Sequence, residues 1–388
     1  MKSDFEYIVA GLGGLGSAAA YWLSRRAGKE VLGLEQFPLG HPHGESQDHS
    51  RIIRLSYHTP FYVRLAKQAY HAWALLEQDS GQKLILKTGG LDLWPPNSII
   101  SMKDYTESLQ KENVDFEIID AAEIMRRFPQ FRLQNDITGL YQSEGGIAPA
   151  ARCNAEHQRM AREHGATLLE NRPIESISSE EKRCIVRTKD ETYSCRKLVI
   201  AGGPWSNRMI AQFGMELPLT VTQEQVNYFA AQKLDSFQPD RFPIWIWMDD
   251  PCFYGFPVYG ENAVKVAQDV GGKEVSTETR TYDPDPEALQ QVETFLQKFI
   301  PDAVGPVLYT KSCLYTLTPD RDFVIDQIPE HPDCLIAIGA GHAFKFASLI
   351  GKILSELAID GETESDISQF NITRPILQEK NPPKNFMT

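Results

Sequence analysis

The chain has little cysteine, no long apolar run and no excess of positive charge. Its 388 residues include no uninterrupted apolar stretch of the roughly 18 residues that a membrane-spanning helix needs. The 6 cysteines are scattered, without a Cys-x-x-Cys pair or metal-ligand spacing, so we expect neither a disulfide scaffold nor a metal site. The formal net charge of -13 argues against nucleic acid or an anionic membrane as a partner.

The sequence shows no internal repeat and no low-complexity segment. We also expect no cleaved leader, because the first strand-like run begins within a few residues of the start. What remains is an ordinary globular composition, with 42% hydrophobic and 23% charged residues. A chain of this length usually forms more than one domain. We therefore expect a cytoplasmic protein of two domains.

The strongest motif is a glycine turn near the N-terminus. A strand-like apolar run ends in Gly11-x-Gly13-Gly14-x-Gly16, and an Ala-rich, helix-forming stretch follows. Gly11 allows a tight turn, Gly13 lets the backbone approach a pyrophosphate, and Gly16 lets the helix pack close to its strand. A second apolar run ends about 20 residues further on in Glu35, whose carboxylate can accept hydrogen bonds from the ribose hydroxyls of an adenosine. The pattern predicts a dinucleotide site.

Two further strand-to-glycine turns occur later in the chain, at Gly202 and at Gly339 and Gly341. The last turn leads into a helical segment, so free backbone N–H groups and the positive end of a helix dipole meet at one point. Such a point could stabilise the anionic pyrimidine side of a reduced flavin, whereas a nicotinamide has no comparable developing anion. The three turns therefore favour FAD over NAD, bound by segments from both ends of the chain.

The segment after Glu35 contains a histidine-rich loop and an arginine pair, and each of them allows two interpretations. Three histidines in the loop 38–50 would suit a metal, but no partner Cys or Asp has ligand spacing, so we favour a loop that wraps a cofactor. Arg51 and Arg54 follow; in a helical turn they would share a face and could hold a carboxylate. From spacing alone, a solvated basic edge is the better interpretation of the arginine pair.

Hydrophobic periodicity predicts the main elements. Helices are expected over 15–27, 61–80, 148–164, 286–299 and from the last glycine turn to about 357. Alternating, aromatic-rich segments between 218 and 312 are typical of an antiparallel sheet. We expect an α/β fold (α+β overall), with a discontinuous cofactor domain of 1–83, 150–217 and 313–388 and a substrate domain of 84–149 and 218–312.

Several separated motifs, in one order, resemble the monomeric sarcosine oxidase family, which includes N-methyltryptophan oxidase, pipecolate oxidases and fructosyl amino acid oxidases. The resemblance runs from Tyr7 to about Arg374 and is carried by the first glycine turn with Glu35 and by the segments 50–54, 253–257, 264–266, 312–316, 323–326 and 339–346. It implies a Rossmann-like FAD-binding domain, a mainly antiparallel substrate domain and a monomer. The implied reaction oxidises the C–N bond of a secondary or cyclic amino acid to an imine and reduces O2 to hydrogen peroxide.

The resemblance also implies roles for single residues. Cys313 would be joined by a thioether to the flavin 8α-methyl group, and Lys265 would help oxygen accept an electron beside the flavin. Arg54 and Lys345 would hold the substrate carboxylate. The implied catalytic residues are Lys265, Arg51, Tyr254 and Asp269. The implied substrate-binding residues are Arg54, Lys345, Tyr315, Trp245 and Thr316. The implied cofactor-binding residues are Gly11, Gly13, Gly14, Gly16, Glu35, Ser50, Arg51, Gly202, Cys313, Gly339, Gly341, His342 and Lys345.

Three positions depart from sarcosine oxidase. Asp269 stands in place of a histidine, and its carboxylate could pair with a substrate ammonium or shift its pKa. Gln47 stands in place of another histidine, and Trp245 in place of a methionine. A large ring near the flavin would shrink the pocket or stack on a flat substrate. A bulkier or ring-containing amino acid, such as a pipecolate-like imino acid, is therefore as well supported as sarcosine.

Two other functions stay open. The chain could be a flavin dehydrogenase that passes electrons to a quinone or a carrier protein. It could instead be a flavin-binding protein with little turnover, although the combination of Lys265, Arg54 and Lys345 argues against that. An NAD-dependent dehydrogenase would explain neither Cys313 nor the C-terminal glycine turn.

Overall fold

The structure, a computed structural model, describes residues 2–180 and 183–384. Within these ranges the α-helices are α1 (Gly14–Ala27), α2 (Pro60–Ser80), α3 (Met102–Lys111), α4 (Ala121–Arg127), α5 (Ala150–Glu163), α6 (Ser206–Ile210), α7 (Pro286–Phe299), α8 (Ala347–Ile359) and α9 (Pro375–Gln378). In this part of the chain we find no helix that combines the length and the apolar character of a membrane span.

The strands of the same ranges form three sheets. In chain order they are β1 (Asp4–Ala10), β2 (Val31–Leu34), β3 (Arg51–Ile53), β4 (Leu86–Lys87), β5 (Gly90–Trp94), β6 (Glu117–Asp120), β7 (Thr138–Gln142), β8 (Gly146–Ala148), β9 (Thr167–Leu169), β10 (Ile174–Glu180), β11 (Arg183–Thr188), β12 (Thr192–Ile200), β13 (Thr220–Phe229), β14 (Ile244–Trp247), β15 (Phe253–Phe256), β16 (Val264–Gln268), β17 (Lys273–Glu274), β18 (Val307–Leu317), β19 (Val324–Ile328) and β20 (His331–Ile338).

The first sheet has a parallel centre. Its strands run in the order β9-β2-β1-β12-β20-β19, and the hairpin β10–β11 pairs with the first half of β12. Strands β9, β2, β1, β12 and β20 are parallel, so their carboxyl ends lie at one edge. The chain order reverses between β1 and β12, and in open α/β sheets ligands bind outside the carboxyl ends at such a switch point.

The second sheet is antiparallel except where β14 pairs with β5. Its order is β17-β13-β16-β15-β14-β5-β7-β6, and β18 also pairs with β13. Helix α7 covers one face, where Phe295 and Leu296 pack into a core with Trp245, Trp247 and Phe253. The sheet and the helix agree with the alternating pattern of 218–312. The α/β fold class predicted from the sequence is confirmed.

Two expectations about local structure need correction. Arg51 begins strand β3, which pairs with β8, so Arg51 and Arg54 do not share a helical face. The expected domain boundary at 313 falls inside β18, which belongs to the second sheet. Otherwise the segments of the two larger sheets alternate along the chain as expected, and the division into two domains stays a prediction.

Candidate active site

One cavity opens at the carboxyl ends of the first sheet and contains about 1050 Å³ of atom-free space, part of it open to solvent. We call it the glycine-turn cavity. Two of its wall residues, Gly11 and Gly339, follow β1 and β20 directly, and a third, Gly202, lies two residues after the end of β12. The sequence-predicted residues on its wall are Gly11, Gly13, Gly14, Glu35, Gly202 and Gly339. The parallel sheet therefore brings the three glycine turns together at one edge.

The first turn excludes side chains for two different reasons. Gly11 has a φ of +92°, and a Cβ there would lie 2.5 Å from the carbonyl oxygen of Ala201; at Gly16, behind the wall, it would lie 1.8 Å from the carbonyl oxygen of Gly11. At Gly13 a Cβ would meet nothing nearer, among the described residues, than Ser46 Oγ at 3.7 Å. Protein packing thus requires Gly11 and Gly16, whereas Gly13 leaves a cradle for a ligand at the start of α1.

Glu35 follows β2 and is held by backbone amides. Its Oε2 accepts a hydrogen bond from Leu12 N at 2.8 Å, and its Oε1 accepts one from Phe37 N at 3.1 Å. Burial alone would raise the pKa of Glu35, but hydrogen bonds from His41 and from these amides lower it overall. Glu35 is therefore an ionised acceptor on the cavity wall. Within the described residues, the loop histidines and their neighbours form no group of three suited to a metal ion.

A second cavity, with about 1090 Å³ of atom-free space, shares the wall residues Gly14, Leu15, Glu45, Ser46 and Gly339 with the first, so the two cavities adjoin. We call it the arginine cavity. The sequence-predicted residues on its wall are Gly14, Arg51, Arg54, Tyr254, Asp269, Tyr315, Gly339, Gly341, His342 and Lys345. Residues from the second sheet and from the last glycine turn thus meet beside the glycine-turn cavity.

Cations dominate the polar part of the arginine cavity. Arg54 is buried, lies 3.4 Å from Asp92 and stacks over the ring of Tyr57 at 5.0 Å. Burial alone would lower the pKa of Arg54, but the charge of Asp92 raises it overall. Lys345 Nζ donates to the His342 carbonyl oxygen at 3.2 Å, and burial together with the charge of Arg54 lowers the pKa of Lys345 to about 7. The cavity is therefore suited to an anionic group.

Asp269 lies in the same cavity but has a cation of its own. Its Oδ2 is 3.4 Å from a guanidinium nitrogen of Arg321, which is 1% exposed. The carbonyl oxygen of Arg321 is in turn 2.8 Å from His342 Nε2. The charge of Asp269 is thus largely offset before any substrate enters.

Lys265 lies behind the wall, over the ring of Phe256 at 4.8 Å. It is 2% exposed, and its ammonium donates to the Ser50 carbonyl oxygen at 2.8 Å and forms an ion pair with Asp48 at 2.6 Å. Burial lowers the pKa of Lys265 to about 8, against the charge of Asp48, which raises it. Arg51 also donates to the Ser50 carbonyl, at 3.0 Å, so this carbonyl fixes both cations.

Cys313 lies on β18 two residues before Tyr315, on the same side of the strand, because side chains alternate along a strand. Tyr315 is on the wall of the arginine cavity, and Cys313 itself is partly buried behind it. Burial raises the pKa of the Cys313 thiol to about 11, although the positive charge of Arg51 acts to lower it.

Two predicted substrate residues lie elsewhere. Trp245 is 1% exposed and stacks on Phe295 under α7, at a ring distance of 5.5 Å. Because side chains alternate along β14, it is Ile246, followed by Met248, that reaches the arginine cavity. Thr316 points to the opposite side of β18 from Tyr315 and is 1% exposed. The placement of Trp245 on the substrate wall is therefore wrong, whereas Thr316 is on the wall of neither cavity but contacts Glu45, which is on both.

Several residues of the site were missed by the sequence reasoning. Asp48, Asp92 and Arg321 are ion-pair partners of Lys265, Arg54 and Asp269, but their separation in sequence is too large for any spacing rule to join them. Glu45, on the wall of both cavities, lies in the loop 38–50, where only the histidines suggested a site. Burial raises the pKa of Glu45 to about 7, against Thr316 and Arg51, which lower it.

Comparison with known proteins identifies the family. A family model described as FAD dependent oxidoreductase matches residues 6–357. A protein named monomeric sarcosine oxidase from Arthrobacter sp. is 30% identical over 98% of this chain and 99% of its own length. One named N-methyl-L-tryptophan oxidase from Yersinia pestis is 29% identical over 96% and 99%.

A solved structure agrees with these relatives. NikD, described as an unusual amino acid oxidase essential for nikkomycin biosynthesis, superposes with a TM-score of 0.85 at 26% identity, over 95% of this chain and 98% of its own. The resemblance stated from the sequence is confirmed by the match over nearly the full length of both chains. This chain, with its glycine turns gathered at one sheet edge, belongs to the family of FAD-dependent oxidoreductases.

Proposed function

We propose that this protein is a flavin-dependent oxidase of secondary or cyclic amino acids, which converts a C–N bond to an imine and reduces O2 to hydrogen peroxide. The observation that carries the proposal is that the glycine-turn cavity adjoins a cation-rich arginine cavity, with five wall residues in common. The cradle at Gly13 and the ionised Glu35 fit the pyrophosphate and a ribose of FAD. When bound, the flavin would supply the acceptor for two electrons and a proton from the substrate carbon.

Arg54 and Lys345 would bind and orient the substrate carboxylate. A guanidinium held by Asp92 and an ammonium directed by a backbone carbonyl form a preorganised anion site, so little reorganisation is needed on binding. Asp269 is already paired with Arg321, and this favours entry of the amine in its neutral form, which can be oxidised. The aromatic walls, Tyr57, Tyr254 and Phe256, would exclude water and suit an N-methyl group or a ring.

Lys265 would serve the oxygen half-reaction. A buried ammonium stabilises the negative charge that develops on oxygen as it accepts an electron, because few waters screen it. With a pKa of about 8, Lys265 is mainly protonated at neutral pH. The names of the two oxidase relatives support oxygen as the acceptor, and the burial and charge of Lys265 support its role.

We further propose that Cys313 is the attachment point of the flavin. Joining a thiol sulfur to a methyl carbon breaks one S–H and one C–H bond and releases two electrons and two protons, which oxygen can accept. The expected result is that acid-precipitated protein stays yellow, and that Cys313→Ser releases its flavin into the supernatant. Cys252→Ser is the matched control, because Cys252 lies on the arginine-cavity wall yet should leave the flavin attached. Retention of flavin by Cys313→Ser would reject the attachment.

The proposed function is tested with a panel of sarcosine, N-methyl amino acids, proline, pipecolate and glycated amino acids. At least one member should bleach the flavin anaerobically and, in air, yield one hydrogen peroxide per substrate oxidised. Bleaching without peroxide, together with rapid reduction of an added quinone, would indicate a dehydrogenase instead. A flavin that no member of the panel bleaches would indicate a binding protein.

A further inference from the structure

Asp48 has a backbone conformation that its residue type disfavours. Its φ is +108°, a region that glycine enters freely and that costs other residues free energy, and its side chain is buried. A buried carboxylate is costly too, unless cations and hydrogen-bond donors compensate. Asp48 thus combines an unfavourable backbone conformation with a buried charge. We therefore look to the contacts of its carboxylate for the compensating interactions.

Four elements direct donors and cations at Asp48. Lys265 on β16 is 2.6 Å away, and the Tyr228 hydroxyl on β13 donates a hydrogen bond at 2.6 Å. Arg51 on β3 is 3.7 Å away, and Lys311 on β18 is 3.6 Å away and partly exposed. The carboxylate thus links the second sheet to Arg51 in the small sheet, which consists of β3, β8 and β4.

The charges around Lys265 act in opposite directions. Arg51, itself held at the Ser50 carbonyl, repels the ammonium, and burial disfavours it further. Asp48 opposes both, whereas the sulfur of Cys313, once joined to the flavin, would carry no charge. The pKa of Asp48 is lowered overall, because Lys265, Arg51 and Tyr228 outweigh the burial that would raise it. Asp48 is therefore the charged partner that favours a proton on Lys265.

We propose that Asp48 is a positioning residue for the oxygen half-reaction, which keeps Lys265 protonated and directed at the Ser50 carbonyl. The inference rests on the proposed function only in assigning oxygen as the acceptor. It explains why a carboxylate occupies a position where glycine would cost less. It also identifies the protonation state of Lys265 as a property of two residues rather than of one.

The test measures reoxidation by O2 of holoenzyme whose flavin has been reduced with light, so that no substrate is needed. In the wild type the rate constant should fall as the pH rises through about 8, because Lys265 loses its proton there. In Asp48→Asn the fall should come about 1–3 pH units lower, since a close opposite charge shifts a pKa by about that much. At pH 7.5 the variant should therefore react more slowly, by roughly 3-fold for the smallest of these shifts and roughly 200-fold for the largest.

Matched variants separate this role from a general loss of structure. Asp48→Gly relieves the backbone conformation and should show the same pH shift, even if Asp48→Asn folds poorly. Asp79→Asn removes a partly buried carboxylate that is on the wall of neither cavity. This carboxylate accepts a hydrogen bond from the Tyr21 hydroxyl and lies beside His164 and Arg25, and its loss should leave the pH profile unchanged. Lys265→Met should be slow at every pH, and adding Asp48→Asn to it should change little.

A second readout does not depend on turnover. At pH 7 Asp48→Asn should lower the unfolding temperature of the oxidised holoenzyme strongly when Lys265 is present and much less in the Lys265→Met background, because a lone buried ammonium is costly. Identical pH profiles for the wild type and both Asp48 variants, or additive losses in unfolding temperature, would overturn the proposal. Substrate bleaching of the flavin would then still stand, so the two proposals fail separately.

Discussion

The two adjoining cavities are built in different ways. At the glycine-turn cavity, short backbone segments after β1, β12 and β20 meet, and glycine allows a turn or a close approach there. The arginine cavity and the residues behind its wall depend on side chains with distant partners, such as Arg54 with Asp92 and Lys265 with Asp48. The first cavity is thus determined largely by local sequence, and the second by how the sheets meet. Four sets of measurements can break or sharpen this contrast.

The largest effect is expected within the first glycine turn. Gly16→Ala places a Cβ 1.8 Å from a backbone oxygen, so we expect a loss of at least about 3 kcal/mol and little folded protein. Gly13→Ala meets no such obstacle among the described residues and should fold normally but contain little FAD. Thermal unfolding and the flavin-to-protein absorbance ratio measure both effects. A flavin-saturated Gly13→Ala would show that the cradle is not used.

In the arginine cavity, Arg54→Gln should impair substrate binding. Losing the guanidinium removes one charged donor and leaves Asp92 buried without its cation, a change that costs about 3 kcal/mol or roughly a hundredfold in kcat/KM. Arg64→Gln is the control, because Arg64 is exposed and pairs with Glu112 at the surface. Similar kcat/KM values for the two variants would place the carboxylate elsewhere.

A smaller effect is expected from pH at Lys345. Its pKa is lowered to about 7 from an ordinary value above 10, so the ammonium is present below pH 7 and is lost as the pH rises through it. Binding of a non-titrating carboxylate such as acetate should therefore weaken, by up to about tenfold, between pH 6 and pH 8. Flavin absorbance changes report the Kd. In Lys345→Met acetate should bind weakly, and its Kd should be independent of pH over this range.

The smallest effect on activity is expected at Trp245. Trp245→Phe should cost about 1–3 kcal/mol of stability, because the indole fills the core under α7. Its kcat/KM should stay within twofold of the wild type. Ile246→Ala, one residue along β14 and on the cavity wall, should instead change KM, with a loss of stability of about 2–5 kcal/mol because Ile246 is also buried. A large change in KM for Trp245→Phe alone would contradict the assignment of Trp245 and Ile246 to opposite sides of β14.

These contrasts separate the features that local sequence predicts from those that it does not. Gly11, Gly16 and Glu35 were predictable, because a turn, a close approach and a strand end are all local events. The helices near 61–80 and 286–299 were predictable from periodicity and were found at Pro60–Ser80 and Pro286–Phe299. In each case the relevant partner lies within a few residues or on one amphipathic face.

The remainder depends on register and on long-range pairing. The side of β14 on which Trp245 lies is decided by its pairing with β5 and β15, which no local pattern specifies. Asp48 and Lys265 meet because a loop of the small sheet reaches the second sheet. Resemblance to a family placed Lys265 near the flavin, but it carried no information on the carboxylate beside it.

The central claim is that an amino acid meets the flavin in the arginine cavity, with its carboxylate held by Arg54 and Lys345. The most direct measurement is the anaerobic rate of flavin bleaching by the best substrate of the panel, in the wild type and in Arg54→Gln at the same low concentration. We expect the variant to bleach roughly a hundredfold more slowly, while dithionite reduces both alike. Equal bleaching rates with the amino acid would contradict the claim.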